Sequence, residues 1–437
     1  MFVYHLRLAL LSLRRTPAVS LLMVVAVGLG IGVSMTMLSV YALMAGDPIP
    51  AKSGTLHAVQ LDSWSPDRPF DEPNEPPLQL TWRDATALAE RSPAGLRRTA
   101  MVGTGFVAEM PGADDVRPEI VSARAATADF FEMFEVPFLH GTGWGAAGDA
   151  DAAPAIVLSR ELNEKLFGGE DSVGREVRVG TDLLRVVGVI DEWQPTPRFY
   201  DLNTGAFADT DDAFVPLALL DRHQLEWGIN GSVNCWQAPP AEGIFPSECT
   251  FAQFWVELPD ARAVEDYRAF LDAYVLEQKK LGRFPRPLNN RLSDVRAWLD
   301  ANEVVRDDNS VLLGLSFMFL IVCLLNTVGL LLAKFLGRSG DVGVRRALGA
   351  SRARVFQQHL TEVGLLGVFG GVLGLGIAWI GLVAVRRLYV DYERVAHLNA
   401  ELVAVAIVLA VAAGLLAGLY PAWRICRIQP AAYLKTQ

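Results

Sequence analysis

The stretch Ser310–Ala333, SVLLGLSFMFLIVCLLNTVGLLLA, contains no Asp, Glu, Lys or Arg. A hydrocarbon core of about 30 Å needs about 20 apolar residues at a rise of about 1.5 Å each, so this run is long enough to span a membrane. Three further runs share the property: Ala18–Gly46, Val363–Val385 and Leu402–Trp423. Buried helices of a soluble protein do not supply four such runs. The first run is far longer than the apolar core of a signal peptide, and Ala42-Leu43-Met44-Ala45 is a poor cleavage site, so it reads as an uncleaved anchor. The expected fold is therefore α-helical and membranous, with transmembrane helices at 18–46, 310–333, 363–385 and 402–423. A mixed α/β domain, residues 47–309, is inserted between the first and second.

Composition agrees with this division. The 437 residues are 51% hydrophobic and 20% charged, too apolar for a disordered chain. Residues 47–309 hold 44 acidic and 24 basic residues, whereas the rest of the chain holds 5 acidic and 15 basic, so the overall net charge of −10 conceals a separation of sign. Arg7, Arg14 and Arg15 precede the first run, Lys334, Arg338, Arg345, Arg346, Arg352 and Arg354 follow the second, and Arg424, Arg427 and Lys435 follow the fourth. The positive-inside rule places segments 1–17, 334–362 and 424–437 in the cytoplasm and the acidic domain outside. The short outer loop 386–401 carries Arg386, Arg387 and Arg394, balanced by Asp391, Glu393 and Glu401.

Signals for chemistry are few. No GxxxxGK[ST] phosphate loop occurs in these residues, so no ATPase site is visible, and neither GxSxG nor HExxH is present. The glycine series Gly28, Gly30, Gly32 lies inside a span and reads as close helix packing. Cys235 and Cys249 both fall in the outer domain. An oxidising compartment would permit a disulfide there, stabilising by about 2–3 kcal/mol, with two free thiols as the alternative. Cys and His spacing fits no zinc site, and no bound cofactor or nucleic-acid partner is expected.

Within the outer domain, Leu183–Ile190 and Phe251–Leu258 read as strands. Leu80–Ala89, Ser159–Phe167 and Ala263–Lys280 read as helices, the last with Val264, Tyr267, Leu271 and Tyr274 on one face. Pro-rich stretches at Asp67–Pro77 and Gln237–Pro246 read as linkers. From Leu292 through Val295, Leu299 and Val304 the helical pattern runs into the second span without Pro or Gly before Gly314, which predicts a continuous stalk.

Two segments resemble a known family. Ala155–Ile190, AIVLSRELNEKLFGGEDSVGREVRVGTDLLRVVGVI, resembles the signature of the MacB-type periplasmic core domain, and Asp129–Gly141, DFFEMFEVPFLHG, resembles its upstream motif. Asp341–Phe356, DVGVRRALGASRARVF, followed by Glu362 and a Gly-rich span, resembles the FtsX-like permease domain. Tyr420-Pro421-Ala422 and Ile428-Gln429-Pro430 resemble that domain's tail. Asp341 stands where the family usually has Glu.

The resemblance implies a non-catalytic permease subunit of an ABC transporter in the bacterial inner membrane. A separate cytoplasmic ATPase would hold ATP and Mg²⁺, and its motion would pass to the periplasmic domain by mechanotransmission. The implied partners are that ATPase, a second permease copy or a paralogue, membrane lipid, and a periplasmic adaptor with an outer-membrane channel. Export or efflux is the favoured role. Activation of a periplasmic partner, as FtsX does, and lipoprotein release are the alternatives.

In that setting Gly343–Ala350 is expected to form a short coupling helix ended by Gly349, with Asp341, Val344, Arg345, Arg346 and Leu348 meeting the ATPase. Arg7, Arg14 and Arg15, interleaved with Leu6, Leu8, Leu11 and Leu13, suggest an amphipathic helix along the inner surface. Gly367 with Gly371 and Gly370 with Gly374 form small-xxx-small pairs, for packing within one subunit or at a dimer seam. Asn326 and Thr327 are expected to face a partner helix, and no span is expected to carry an ionisable group.

Overall fold

The computed structural model describes residues 2–112, 117–222, 227–305, 307–388 and 400–427. Most of the outer loop around Arg394, the Ile428-Gln429-Pro430 motif and Lys435 lie outside these residues. The helices, in chain order, are α1 (Phe2–Arg15), α2 (Pro17–Met44), α3 (Trp82–Arg91), α4 (Asp129–Met133), α5 (Ala146–Ala150), α6 (Arg160–Phe167), α7 (Leu217–Arg222), α8 (Ala261–Lys280), α9 (Val295–Ala301), α10 (Asp307–Leu336), α11 (Ser339–Ala347), α12 (Arg352–Leu388) and α13 (Ala400–Cys426). The strands are β1 (Leu56–Gln60), β2 (Leu80–Thr81), β3 (Arg98–Glu109), β4 (Glu119–Ala126), β5 (Phe138–Gly141), β6 (Ala155–Leu158), β7 (Glu176–Val179), β8 (Asp182–Ile190), β9 (Ala213–Pro216), β10 (Gly228–Ile229), β11 (Thr250–Glu257) and β12 (Arg291–Asp294). Two compact units result, Gly46–Val304 on one hand and Met1–Ala45 with Val305–Gln437 on the other.

The first unit is a mostly antiparallel sheet in the order β12-β1-β11-β3-β4-β9-β6-β8-β5, in which β4–β9 and β6–β8 run parallel. Strand side chains alternate between faces, and here both faces are covered. Ala100, Val102, Ile156, Leu158, Phe254 and Val256 enter one core with Leu88 of α3 and Leu271 of α8. Their strand neighbours Met101, Val157 and Trp255 enter a second core with Phe130, Tyr200 and Trp298. That double burial explains why β11 is apolar almost without alternation. Local signals fix the helix ends. Thr81 caps α3 by accepting from Asp84 N at 3.1 Å, Ser159 caps α6 by accepting from Leu162 N at 3.1 Å, and Gly168, at φ +66°, ends α6.

Two expectations are corrected in this unit. The stalk is not continuous: Leu292 lies in β12 and pairs with Val59, Asp294 caps the separate helix α9, and Glu303 at φ +47° breaks the chain before α10. Edge-strand hydrogen bonding has overridden the helical periodicity of the segment. The Pro-rich stretches are loops fastened within the unit rather than linkers. Arg291 reaches Glu75 at 2.6 Å across the first, and Arg283 holds Glu248, just past the second, at 2.6 Å. Cys235 and Cys249 are joined by a disulfide that closes the second loop. The unit's first and last segments also meet: β1 pairs with β12, Val295 N donates to Ser53 O at 3.1 Å, and Arg296 ion-pairs Asp47 at 3.1 Å.

The second unit is a helical bundle. Pro17–Met44, Asn309–Leu336, Arg352–Arg387 and Val403–Cys426 are long and apolar enough to cross a membrane. Glycines bring α2 and α12 close, since a Cβ on Gly374 would stand 2.9 Å from Ile31 Cγ2 and one on Gly370 would stand 2.7 Å from Val27 Cγ1. The other pair serves α13: a Cβ on Gly371 would lie 2.6 Å from Ala410 Cβ, and one on Gly367 would lie 3.3 Å from Gly414 Cα. Both small-residue stripes therefore pack inside one chain, on opposite partners.

Candidate functional site

The helix expected at Gly343–Ala350 is found about one turn earlier, as α11 at Ser339–Ala347, between the close of α10 and the start of α12. Gly349 ends it at φ +96°, with the Gly349 and Ala350 N–H groups donating back to Arg346 O at 3.2 Å and Arg345 O at 3.0 Å. Its inner residue is Val342, which is buried with Phe335, Val355 and Ile425. Its outer side chains are Val344 and Leu348, the latter 83% exposed, two apolar groups at i, i+4 on the surface of the bundle. Asp341 is exposed beside them. Arg345 is also exposed and donates to Gln358 Oε1 at 2.9 Å, whereas Arg346 turns back to Cys426 O at 3.4 Å. The two arginines are thus not equivalent.

Beneath α11 lies a polar cluster that the charge-free runs did not reveal. Lys334 and Glu362 form an ion pair at 2.7 Å, with side chains 1% and 4% exposed. Ser12 of α1 donates to Glu362 Oε1 at 2.5 Å, Lys334 donates to Ser20 of α2 at 3.2 Å, and Arg338 donates to both the hydroxyl and the carbonyl of Ser12. His359, stacked edge-on to Phe335, hydrogen-bonds Val355 O at 2.8 Å and so carries its proton on Nδ1. Four helices meet at these groups. The expectation that no span carries an ionisable group is therefore corrected: α10 continues past Ala333 to Leu336 and α12 starts eleven residues before Val363, which draws both charges into the packed bundle. The available signal was that Lys334 and Glu362 stand one residue beyond two charge-free runs. A cavity of about 110 Å³ opens beside the cluster, lined by Arg15, Arg338, Asp341 and Arg345 among others.

The remaining expected positions divide. α1 is helical, with Ala9 and Ser12 buried and Arg7, Arg14 and Arg15 exposed, but Leu10 and Leu11 are exposed as well, so its inward face is narrower than the leucine pattern implied. Thr327 is buried and donates to Cys323 O at 2.8 Å within its own helix. Asn326 is exposed: Cys323, Thr327 and Leu331 form the inward stripe of α10, and Asn326 lies off it.

In the α/β unit, Arg124 of β4 is fully buried and bonds Asp201 at 2.6 Å and Asp211 at 2.7 Å, with Arg198 on Asp211 at 3.0 Å and Tyr200 beneath both guanidinium groups. Burial alone would raise the Asp201 carboxyl, but Arg124 and Arg198 outweigh it and hold the group below the usual carboxylate range. The cluster pins the segment between β8 and β9 to the sheet. No group of three or more His, Cys, Asp or Glu side chains among the described residues is placed to hold a metal ion. The described side chains thus form a buried polar cluster in the helical unit and a charged cluster that braces the α/β unit.

That combination defines a class, the membrane permeases with a large extramembranous domain, and sequence comparison narrows it. A MacB-like periplasmic core domain matches residues 20–274, and an FtsX-like permease C-terminal domain matches residues 313–430. The chain belongs to the MacB/FtsX-type family of ABC transporter permeases. It is similar to the macrolide export ATP-binding/permease protein MacB of Marinobacter nauticus, 23% identical over 295 residues, covering 67% of this chain and 40% of that protein. It is also similar to the pyoverdine export ATP-binding/permease protein PvdT of Pseudomonas entomophila, 25% identical over 310 residues, covering 70% of this chain and 42% of that protein. Among solved structures, the periplasmic region of MacB from Actinobacillus actinomycetemcomitans aligns with a TM-score of 0.37 at 11% identity, covering 60% of this chain and 97% of that one. The match thus spans about two fifths of the length of these two curated relatives, 40% and 42% respectively.

Proposed function

We propose that this chain is the permease of an ABC exporter in the bacterial inner membrane, passing ATP-driven motion of a cytoplasmic ABC ATPase to a periplasmic α/β domain. The observation that carries the reading is the exposed Val344/Leu348 pair on α11, a helix anchored by Val342 above the buried Lys334–Glu362 pair. Exposed apolar residues at i, i+4 on a rigid element are suited to a groove on a partner. The cluster beneath ties α1, α2, α10 and α12 together, so a push on α11 is borne by several helices at once. ATP and Mg²⁺ belong to the ATPase.

In this reading, the basic segments put both termini and α11 in the cytoplasm, and the acidic unit, inserted between the first and second spans, in the periplasm. The domain limits are those of the sequence: 1–17 cytoplasmic, 47–309 periplasmic, 334–362 the coupling segment, 386–401 a short periplasmic loop and 424–437 a cytoplasmic tail. The permease acts as a pair, with itself or a paralogue, and Asn326 marks the outward face of α10 as a seam, because an amide facing lipid is costly. A periplasmic adaptor and an outer-membrane channel would complete the export route, and the relatives' names favour export over signalling or lipoprotein release.

The test is a variant carrying Val344→Ser, Arg345→Ala and Leu348→Ser, with Arg346 kept because it closes onto Cys426. Membrane insertion and melting temperature should stay as in the parent, while capture of the co-expressed ATPase and its stimulated hydrolysis fall by roughly tenfold or more, as expected for losing an interface anchor. Unchanged capture and unchanged stimulation would overturn the assignment.

A further inference from the structure

The α/β unit contains an open cavity of about 630 Å³ in which the proposed coupling has no part. That is within the range of roughly 300–1,000 Å³ typical of small-molecule sites. It lies where α3, β3, α4, α5 and α7 converge. Trp82 and Leu217, both buried, provide apolar wall, and Ala89 and Ala218 keep the space between the helices open. The charged lining is unbalanced. Glu90 of α3, Asp129 of α4, Asp149 of α5 and Asp221 of α7 stand against one cation, Arg98 of β3.

The position of these groups is fixed by bonds to the backbone. Arg98 donates from Nε to Ala89 O at 2.6 Å and from Nη1 to Leu96 O at 3.1 Å, which commits two of its guanidinium nitrogens to carbonyls. Asp129 accepts from Arg98 N at 3.0 Å, and Asp149 accepts from Ala128 N at 2.8 Å and from Trp144 Nε1 at 2.9 Å. The carboxylates are too dispersed for one metal ion, since no cluster among the described residues has ligand geometry. A charge spread over four elements, beside an indole and a leucine, is complementary to a ligand that has both a cationic end and an apolar body. Burial, with a smaller contribution from Asp129, raises the Asp149 carboxyl above its ordinary range, and a cation bound beside it would offset that rise.

We infer that this cavity binds a small amphipathic organic ammonium ion, its charge among Glu90, Asp129 and Asp149 and its apolar body against Trp82 and Leu217. The inference concerns the α/β unit alone and does not depend on ATPase coupling. The probe is dansylcadaverine, a fluorescent primary ammonium, titrated into the full-length protein in detergent, with its neutral N-acetyl derivative as the charge control. The expected result is saturable binding of the ammonium that weakens with added salt, and no saturable binding of the neutral derivative.

The double variant Glu90→Gln/Asp129→Asn, which keeps the shape and removes two charges, should weaken binding by roughly tenfold. Ala218→Trp should abolish it by filling the space. Thermal melts establish that each variant is folded; where Ala218→Trp is not, the charge-only variant decides. Absence of saturable binding to the parent protein, equal binding of the neutral derivative, or parent-like affinity in the folded charge variant would each overturn the site.

Discussion

Lys334 and Glu362 illustrate how a charge can be present in a bundle that reads as uncharged. Their side chains are withdrawn from solvent, and each has a hydroxyl as a second partner, Ser20 and Ser12 respectively. Breaking a buried pair by removing one member leaves an uncompensated charge at a cost of about 3–5 kcal/mol, whereas replacing both with apolar groups of similar size is often nearly neutral. Lys334→Met and Glu362→Leu should therefore each lower the melting temperature of the detergent-solubilised protein clearly, and the double variant should recover most of the loss. Melting curves of the four proteins measure this directly. An additive loss in the double variant would show that the two side chains act independently. The residue types were legible from the sequence. Their pairing was not, because it depends on where α10 ends and α12 begins, and helix ends are set by capping and packing that a charge-free run does not report. Arg346 shows the same limit: its place on α11 is legible from the sequence, whereas its contact with Cys426 comes from α13, 80 residues away in sequence.

At the scale of elements, the glycine stripes of α12 were legible as packing surfaces, since small residues at i, i+4 let backbones approach. The sequence left their partners open between this chain and a second copy. Gly370 and Gly374 face α2, and Gly367 and Gly371 face α13. Gly371→Leu should force α12 and α13 apart and destabilise the bundle by about 1–3 kcal/mol, the usual range for overpacking. Gly376→Leu, where an added Cβ would meet nothing within 4 Å, should leave stability near that of the parent. Comparing the melting temperatures of the two variants separates a packing seam from a general intolerance of side chains in this helix. The continuous stalk was the opposite case. Leu292, Val295 and Leu299 have helical spacing, but Leu292 is claimed by the edge of a sheet whose partner strand, β1, lies more than 200 residues earlier. Strand pairing over that distance leaves no local signal.

Across the whole molecule, the charge separation is the feature read most directly from the sequence, and it sets the orientation proposed above. Single cysteines placed at exposed positions in a protein otherwise lacking free thiols should discriminate the two sides. Residue 262, on the exposed start of α8, should react with a membrane-impermeant maleimide in intact cells whose outer membrane has been permeabilised. Residue 348 should react only after the inner membrane is lysed. Reversal of that pattern would overturn the topology and the coupling assignment with it. The α/β character of residues 46–304 was legible from alternation and helix caps, but its two cores were not, because a sheet covered on both faces shows less alternation than one half exposed to water.

The pairing of β1 with β12, reinforced by the Asp47–Arg296 ion pair, has a modular consequence. Because the polypeptide enters and leaves the domain along neighbouring strands, the domain is closed at its own boundary like a cassette. Exchanging it between homologues at that boundary should preserve the fold of the flanking helices, since both cut points fall on adjacent strands.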